Sequence, residues 1–317
     1  MNNILTAPSI GFDGFYQIEV IQQDGTLKQG SGLNTPFKNL LLDNFFKTVS
    51  PLGNGDTISA EPAYCKVGTG STPPSPVDTY LVSQVARIGR SGQPSYTYSS
   101  SIATGYWRQV ATTFTFPIGS VVGNISEIGV SNYEDSLLLS RSLIKDGLGN
   151  PTTITLTATD QLKVTYTLRR TQPTTTTSGV LTLVRDGVSE NHPWVWYPGI
   201  ADISYPEPLF SFKDIVGSGS LHYTTGTPVV NSPIPDPIAV TQDGAGATSS
   251  YNSASKTVTM TYTFNIGKNF PDGFNIYKPF TSGGGNYSEG YFYFPTPITK
   301  TATQKLVITS SYSMVAL

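Results

Sequence analysis

Residues 110–119 read VATTFTFPIG, a run in which apolar side chains alternate with hydroxyl-bearing ones. A period of two with β-branched and aromatic residues is typical of a half-buried strand. Residues 259–267, TMTYTFNIG, echo the run, and Phe114 matches Tyr262. Because similar short runs between Gly- and Pro-containing turns fill most of the chain, the sequence predicts an all-β fold.

Two further pairs of segments repeat in the same order. TLTATDQLKV at 155–164 is matched by TKTATQKLVI at 299–308, and KVGTGS at 66–71 is matched by IVGSGS at 215–220. The three offsets are similar: 149 (66 to 215), 148 (114 to 262) and 144 (155 to 299) residues. Three matches in one order predict an internal duplication, since a single match between Thr-rich strands carries little weight.

The duplication predicts two related β-sandwich units, over roughly 61–170 and 208–316. The expected division of the chain has four parts: an N-terminal hairpin and helix docked on the first unit (1–60), the first β-sandwich unit (61–172), a connector with an aromatic insertion (173–207) and the second unit (208–317).

Two local elements are expected in the first part. Residues 15–28 alternate apolar and polar side chains around a Gln-Asp-Gly turn, which predicts a hairpin. In the segment that follows, Thr35 is a candidate N-cap and Pro36 a candidate first helical residue. We expect this helix to dock on a sheet through the apolar residues that recur at helical spacing: Phe37, Leu40, Leu41, Phe45 and Val49.

Composition excludes several classes of protein. Charged residues make up only 13% of the chain and the net charge is −2, so no basic stripe for nucleic acid is expected. The single cysteine, Cys65, cannot form an internal disulfide, which favours folding in a reducing cytoplasm. The N-terminus lacks the features of a signal peptide, and no apolar stretch reaches the length that spans a bilayer. We therefore expect no membrane insertion.

The run YCKVGTGSTPPSP at 64–76 invites comparison with a phosphate-binding loop. A Walker loop needs a Lys after its last glycine, and a dinucleotide fingerprint needs a third glycine where Pro73 stands. The prolines that follow also oppose an immediate helix. We therefore interpret the glycines as residues that permit positive φ where a strand ends in a turn or bulge.

Residues for catalysis or metal binding are few. The histidines are His192 and His222, both in turn-rich contexts, and Cys65 lies in a strand pattern where a small buried hydrophobe is expected. No soft-ligand cluster has zinc spacing and no run matches a calcium loop. A pair of acids for glycoside hydrolysis stays open, although many acids stand in Asp-Gly turns. We expect no cofactor, no metal site and no enzymatic activity.

The segment HPWVWYPG places His192, Trp194, Trp196 and Tyr197 together. The two tryptophans would share one face of a strand. One interpretation is a contact with a subunit or partner, a second is a glycan-binding platform, and a third is a pair of rings that pins a long connection to its own domain. These four residues are our candidate interface site.

The N-terminal half resembles a group of tailed-bacteriophage virion proteins. The resemblance covers about residues 15–170 and depends on the order of QDGTLKQ, LNTPFKNLLLDNFF, YCKVGTGSTPPSPVDTYLVSQVAR and ISEIGVSN…LLLSRSLI. It implies a β-rich structural subunit in the tail, collar, baseplate or capsid surface, and it transfers no catalytic residue. The C-terminal half departs from the pattern by the second copy and the aromatic insertion.

The function expected from these observations is that of a non-enzymatic virion protein that joins neighbouring subunits or attaches fibres. Its partners would be copies of itself and other virion proteins, and its location the virion after folding in the host cytoplasm. The alternatives are a capsid decoration or head fibre protein and a receptor-binding module for host surface glycan. A polysaccharide-degrading tail enzyme is disfavoured because long β-helix repeats are missing.

Overall fold

A computed structural model describes most of the chain: residues 4–30, 32–50, 61–101, 105–185, 187–198, 222–224, 246–265, 270–278, 281–282, 287–288 and 290–317. The first strands are β1 (Ile4–Thr6), β2 (Ile10–Ile21), β3 (Phe37–Lys38) and β4 (Leu40–Leu41), followed by helix α1 (Asp43–Val49). The next eight strands are β5 (Tyr64–Gly68), β6 (Gln84–Gly89), β7 (Ser95–Ser101), β8 (Gly105–Thr115), β9 (Gly123–Ile125), β10 (Glu127–Ser131), β11 (Ser140–Leu143) and β12 (Ile154–Leu156).

The remaining strands run to the C-terminus: β13 (Gln161–Gln172), β14 (Thr177–Arg185), β15 (Val188–Pro198), β16 (His222–Thr224), β17 (Gly246–Asn252), β18 (Thr257–Phe264), β19 (Phe270–Lys278), β20 (Thr281–Ser282), β21 (Tyr287–Ser288), β22 (Gly290–Lys300) and β23 (Leu306–Ala316). Within the described ranges α1 is the only helix. The prediction of an all-β fold class of sandwich type is confirmed.

The largest sheet joins both ends of the chain. Among the described residues it has nine strands, with the path β17-β18-β23-β2-β13-β8-β7 and with β1 and β3 paired beside it. Its central strand β2 runs antiparallel to β13 and parallel to β23. A second sheet has the order β4-β11-β10-β5-β6, and a third has the order β14-β15-β22-β19-β16.

Several strands lie where the alternating pattern predicts them. The run YCKVG forms β5, LKVTYTLRR forms most of β13, and the first six residues of the opening run, 110–115, form the second half of β8. Along β13 every second side chain is buried, as expected for a strand with one face on the core. The run SLLLSRSLI is a strand only at Ser140–Leu143.

The predicted helix begins later than expected. The prediction with Thr35 as N-cap and Pro36 as first helical residue is wrong, because α1 begins at Asp43. Phe37 pairs with Tyr16 of β2, and Leu41 pairs with Ser140 of β11. These long-range backbone pairings outweigh the local helical spacing of the apolar residues. The helix does dock on the sheet, since the rings of Phe45 and Phe12 lie 5.2 Å apart edge to face.

The predicted N-terminal hairpin is present as a tight turn with a short return. The N–H of Gln22 donates to the carbonyl of Thr26 at 2.9 Å, and Gly25 in the turn has a φ of 83°. The return is limited to a single bridge between Ile21 and Leu27. The turn is therefore as predicted, whereas the second strand of the hairpin is not formed beyond this bridge.

The repeated segments occupy equivalent register positions on either side of β2. In the first, Phe114 of β8 pairs with Val164 of β13; in the second, Tyr262 of β18 pairs with Ile308 of β23. The aligned sequences match Phe114 with Tyr262 and Val164 with Ile308, so matched residues form matched pairs. These equivalences support the duplication, which remains a prediction from sequence. The second glycine run, IVGSGS at 215–220, lies outside the described residues.

The turns that precede β13 and β23 are also alike. The N–H of Thr157 donates to a carboxylate oxygen of Asp160 at 2.8 Å, and the N–H of Thr301 donates to the amide oxygen of Gln304 at 2.9 Å. In both turns the N–H of the fourth residue donates to the carbonyl of the first at 3.2 Å. The sequences TATD and TATQ thus form one kind of turn, closed once by a carboxylate and once by an amide.

Asp160 gives its turn a pH dependence that the Gln304 turn lacks. The backbone N–H of Thr157, helped by Lys28, holds the pKa of the Asp160 carboxyl below its usual range. A carboxyl with a lowered pKa in the folded state stabilises the fold above about pH 4, and this stabilisation is lost as the pH falls further. We expect Asp160→Asn to lower the unfolding midpoint at neutral pH and to converge with the wild type in acid.

The matched control for this prediction is Gln304→Ala, which removes the corresponding acceptor of the other turn. Its effect on the urea midpoint should not vary with pH, because no titrating group is lost. A difference between Asp160→Asn and the wild type that stays constant down to acid pH would contradict the assignment.

One hydrophobic cluster connects the three larger sheets. It includes Phe12 and Phe114 of the largest sheet, Val67 of β5, and Trp196 and Phe292 of the third sheet. The hairpin formed by β14 and β15 lies in the predicted connector and pairs through β15 with β22. The expected division at 60, 172 and 207 remains a prediction, and both the sheet pairing and this core cross its boundaries.

Candidate functional site

The glycine run begins at the inner strand of the second sheet and leads into a long surface loop. We call residues 69–83 the glycine loop. It leaves β5 at Gly68 and returns along β6, and the pairing of β5 with β6 shifts register between Val67 and Gly68. This shift agrees with the prediction that the strand ends in a turn or bulge.

A buried carboxylate holds both ends of the glycine loop. Glu127, the first residue of β10, is fully buried. Its Oε1 accepts hydrogen bonds from the N–H of Gly70 at 3.0 Å and the N–H of Ser83 at 2.7 Å, and its Oε2 accepts one from Val82 at 3.1 Å. The loop's backbone donors, which a phosphate would need, are thus bound to an internal anion.

Gly68 and Gly70 are glycines because there is no room for a Cβ at either position. Neither Gly68 nor Gly70 has a positive φ, so the sequence-based explanation of their conformation is wrong. A Cβ at Gly70 would lie 2.5 Å from Oε1 of Glu127, and one at Gly68 would lie 2.7 Å from the same atom. At Gly68 the carbonyl oxygen of Ser83 would lie closer still. Both positions need glycine because the carboxylate, and at Gly68 also this carbonyl, packs directly against the backbone.

Arg141 neutralises Glu127 and extends its hold on the loop. The guanidinium is 1% exposed, and its Nε and Nη2 donate to Oε2 of Glu127 at 3.1 and 2.9 Å. Nη1 donates to Asp78 at 2.6 Å and Nη2 to the carbonyl of Thr72 at 2.9 Å. We call Glu127, Arg141 and Asp78 the charge cluster; it joins two strands to the middle of the loop.

Further bonds tie the glycine loop to its neighbours. The carbonyl of Pro76 accepts from the N–H of Asp43 at the start of α1 at 2.8 Å, and the carbonyl of Thr79 accepts from Leu138 at 2.9 Å. Beside the loop, Lys66 of β5, which is 3% exposed, donates from Nζ to the carbonyl of Ser136 at 3.0 Å, and burial lowers its pKa. The loop is therefore fixed along its length although it lies at the surface.

The fixed loop presents apolar side chains to solvent. Val77, Tyr80 and Val82 are 72%, 58% and 58% exposed, and we call them the outer apolar residues. Leu81 points the other way and packs with Leu42 in a small cluster of its own. Contiguous exposed apolar residues are typical of a surface that another protein covers, so these three side chains are the candidate contact of the loop.

The aromatic segment lies on β15, and its rings face inward. Trp194, Trp196 and His192 are buried at 6%, 1% and 7% exposure. All three lie on one face of the strand, as predicted for the two tryptophans. Both indoles pack edge to face against Phe292 of β22, at 5.2 and 4.8 Å. Tyr197 is half-buried and stacks on Tyr291. The burial favours the interpretation in which the tryptophans pin this segment to its own domain.

His192 lies beside Glu190, whose carboxylate is 3.6 Å from Nε2. Within the described part of the chain neither ring nitrogen of His192 makes a hydrogen bond. Cys65 is buried in β5, and burial raises the pKa of its thiol, which disfavours the nucleophilic thiolate. No group of three or more His, Cys, Asp or Glu among the described residues could hold a metal ion.

The charge cluster was not predicted, although part of its signal is visible in the sequence. Glu127 stands in the apolar run ISEIGV and Arg141 in LLLSRSLI. An ionised side chain in a buried strand needs a partner of opposite charge, so the two form a natural pair. Asp78 lies in a turn-rich loop where an acid is ordinary, and its role depends on the fold.

Comparison with protein-family models found no match for this chain. The searches of curated proteins and of solved structures found no match either. In the described residues no helix has the length and apolar character to cross a membrane.

Proposed function

We propose that this chain is a non-enzymatic structural protein of a tailed-bacteriophage virion, a tail, collar or baseplate component that packs against neighbouring copies of itself. The observation that carries the proposal is the buried charge cluster, which fixes a surface loop with outward apolar side chains. The neighbouring copy would cover Val77, Tyr80 and Val82.

The energetics of the glycine loop suit a permanent contact. Binding through a mobile loop costs conformational entropy, whereas a loop already held by Glu127 and Arg141 loses little on binding. Tyrosine is enriched in the centres of protein interfaces, and Tyr80 is the largest of the outer apolar residues. Association with neighbouring copies also stabilises the folded chain by mass action. A chain with few charged residues has little charge repulsion between copies.

The resemblance to virion proteins and the geometry involve the same residues. Glu127 belongs to the quoted motif ISEIGVSN, Arg141 to LLLSRSLI and Asp78 to the run after the glycines. These three motifs, distant in sequence, supply the three members of the charge cluster. The virion assignment depends on the resemblance, and the structure adds that the motifs of the resemblance also fix the loop.

We expect the purified protein to form a defined multimer and the double variant Tyr80→Ser/Val82→Ser to be shifted towards monomer. Light scattering coupled to size-exclusion chromatography measures the mass of each. At protein concentrations where both proteins are monomeric, the variant should keep the wild-type urea midpoint, because both side chains are exposed in the single chain. The matched control is Ile118→Ser/Val122→Ser, which removes two other exposed apolar side chains and should leave the multimer intact.

A wild-type protein that stays monomeric at every concentration would contradict the assembly, as would a Tyr80→Ser/Val82→Ser variant that assembles normally. The virion assignment has a separate test. An antibody against this chain should label intact particles made from the genome that encodes it, and particles without label would contradict the assignment.

A further inference from the structure

A groove lies between the end of β14 and the turn that joins β22 to β23. Its volume is about 570 Å³, within the range of sites for small ligands. We call it the basic groove, and its described lining residues are Leu181, Thr182, Leu183, Val184, Arg185, Thr299, Lys300, Thr303, Gln304, Lys305, Leu306 and Val307. Of these residues three carry a positive charge and none carries a carboxylate.

The groove includes the turn at Thr301–Gln304, whose counterpart in the repeated sequence is the turn at Thr157–Asp160. The counterpart carries its own carboxylate. There Nζ of Lys28 donates to the carbonyl of Thr155 at 2.8 Å and lies 3.3 Å from the carboxylate of Asp160. The cation thus binds the turn's backbone and the turn's own acid together. Charge on this turn is balanced locally.

The basic groove repeats the cation, but its turn carries no acid. Nη2 of Arg185 donates to the carbonyl of Thr299 at 2.9 Å, and Thr299 is the counterpart of Thr155 in the repeated sequence. At the place of Asp160 stands Gln304, which closes the turn with a neutral amide. Arg185 also forms an ion pair with Glu190 of its own hairpin at 3.5 Å, and its Nη1 donates to the hydroxyl of Thr299 at 3.3 Å.

Two lysines add to the positive charge of this turn. Lys300 stands where the first turn has Leu156, and Lys305 stands where it has Gln161. Lys300 is 2% exposed, and burial lowers its pKa, whereas Lys305 is exposed. Each of the three differences, including Gln304 for Asp160, makes this turn more positive by one charge.

We propose that the basic groove binds a saccharide that carries a carboxylate. The carboxylate would lie beside Arg185 and Lys305, in the position relative to the turn that Asp160 has beside Lys28. An arginine fork matches the geometry of a carboxylate, and a charge-assisted bond in a groove is stronger than one between neutral groups. This proposal goes beyond the assembly function and does not depend on it.

The rest of the lining suits a sugar. Thr182, Thr299, Thr303 and Gln304 supply hydroxyl and amide groups that can exchange hydrogen bonds with sugar hydroxyls. Val184 and Val307 are 67% and 44% exposed and offer apolar surface to the C–H face of a ring. An open groove with both kinds of contact accommodates one or two sugar units.

Titration calorimetry at low salt with D-glucuronate, N-acetylneuraminate and D-glucose tests the proposal. We expect at least one of the two acids to bind and glucose not to bind. Arg185→Gln and Lys305→Gln should each raise the dissociation constant of the acidic sugar by about tenfold or more. Gln304→Asp should abolish binding, because it supplies the internal carboxylate found in the first turn. The control is Lys47→Gln, which removes an exposed lysine elsewhere and should bind as wild type.

Absence of binding by both acids overturns the proposal, as does equal binding of glucose. L-glutamate is the remaining probe: if it binds as tightly as the acidic sugars, the saccharide assignment is wrong. A urea midpoint and a multimer mass measured for each variant separate loss of this site from loss of folding or assembly. Lys305→Gln should retain both, since its side chain is exposed.

Discussion

Replacement of Arg141 by methionine is expected to lower the free energy of unfolding by about 3–5 kcal/mol, because it leaves Glu127 buried without its counter-charge. Arg141 and Glu127 are both almost completely inaccessible, and two of their hydrogen bonds are at 3.1 Å or less. Urea unfolding followed by tryptophan fluorescence measures the change. The structural reason is desolvation: a carboxylate that cannot reach water must find its charge partner inside the fold.

The control for this variant is Arg87→Met. Arg87 makes ion pairs with Glu134 and Asp135, but these groups lie at the surface, where solvent screens them. Its urea midpoint should remain close to the wild-type value. Equal midpoints for the two variants would contradict the importance assigned to the charge cluster.

The double variant Glu127→Met/Arg141→Met separates two contributions. Buried ion pairs can often be replaced by apolar residues at little cost. Here the N–H groups of Gly70, Val82 and Ser83 would also lose their acceptor. We therefore expect the double variant to remain destabilised. Recovery to within about 1 kcal/mol of the wild type would contradict this expectation. It would show that the hydrogen bonds from the loop to Glu127 contribute little to the free energy of unfolding.

The strands were predictable because their signal is local. A strand with one buried face alternates, and β5 and β13 can be identified from a few neighbouring residues. The start of α1 was not predictable in this way. Phe37 and Leu41 have helical spacing to Phe45, yet their backbones pair with β2 and β11. Those partners are distant in sequence, so a local pattern does not contain them.

The same distinction applies to the glycine loop. That Gly68 and Gly70 end a strand at a bulge follows from the local sequence, and the structure agrees. The reason for glycine is the carboxylate of Glu127, more than 50 residues further along the chain, together with the carbonyl of Ser83 at Gly68. The presence of an acid in ISEIGV predicts a buried partner, but nothing local indicates which loop receives the acid.

For the aromatic segment too, one property is predictable from local sequence and another is not. The shared face of Trp194 and Trp196 follows from the period of a strand. Whether that face meets solvent or the core depends on Phe292 of β22, almost 100 residues away. Sequence analysis therefore leaves the partner-contact and pinning interpretations open, and the contacts with Phe292 favour the pinning interpretation.

Replacement of Trp196 by alanine is expected to lower the free energy of unfolding by about 3–5 kcal/mol. The indole is 1% exposed, packs at 4.8 Å against Phe292 and leaves no room for a side chain at Gly290. The matched control is Val180→Thr, a substitution of similar shape on the exposed face of the paired strand β14, which should change stability by about 0.5 kcal/mol or less.

The Trp196→Ala experiment distinguishes the two interpretations of the aromatic segment. If the ring pins the hairpin to its domain, the loss is present at concentrations where the protein is monomeric, because the contacts that disappear are internal. If the ring serves a partner, the monomer keeps its urea midpoint and only the multimer is weakened. Denaturation at several protein concentrations separates the outcomes, and a concentration-dependent loss alone would contradict the pinning role of Trp196.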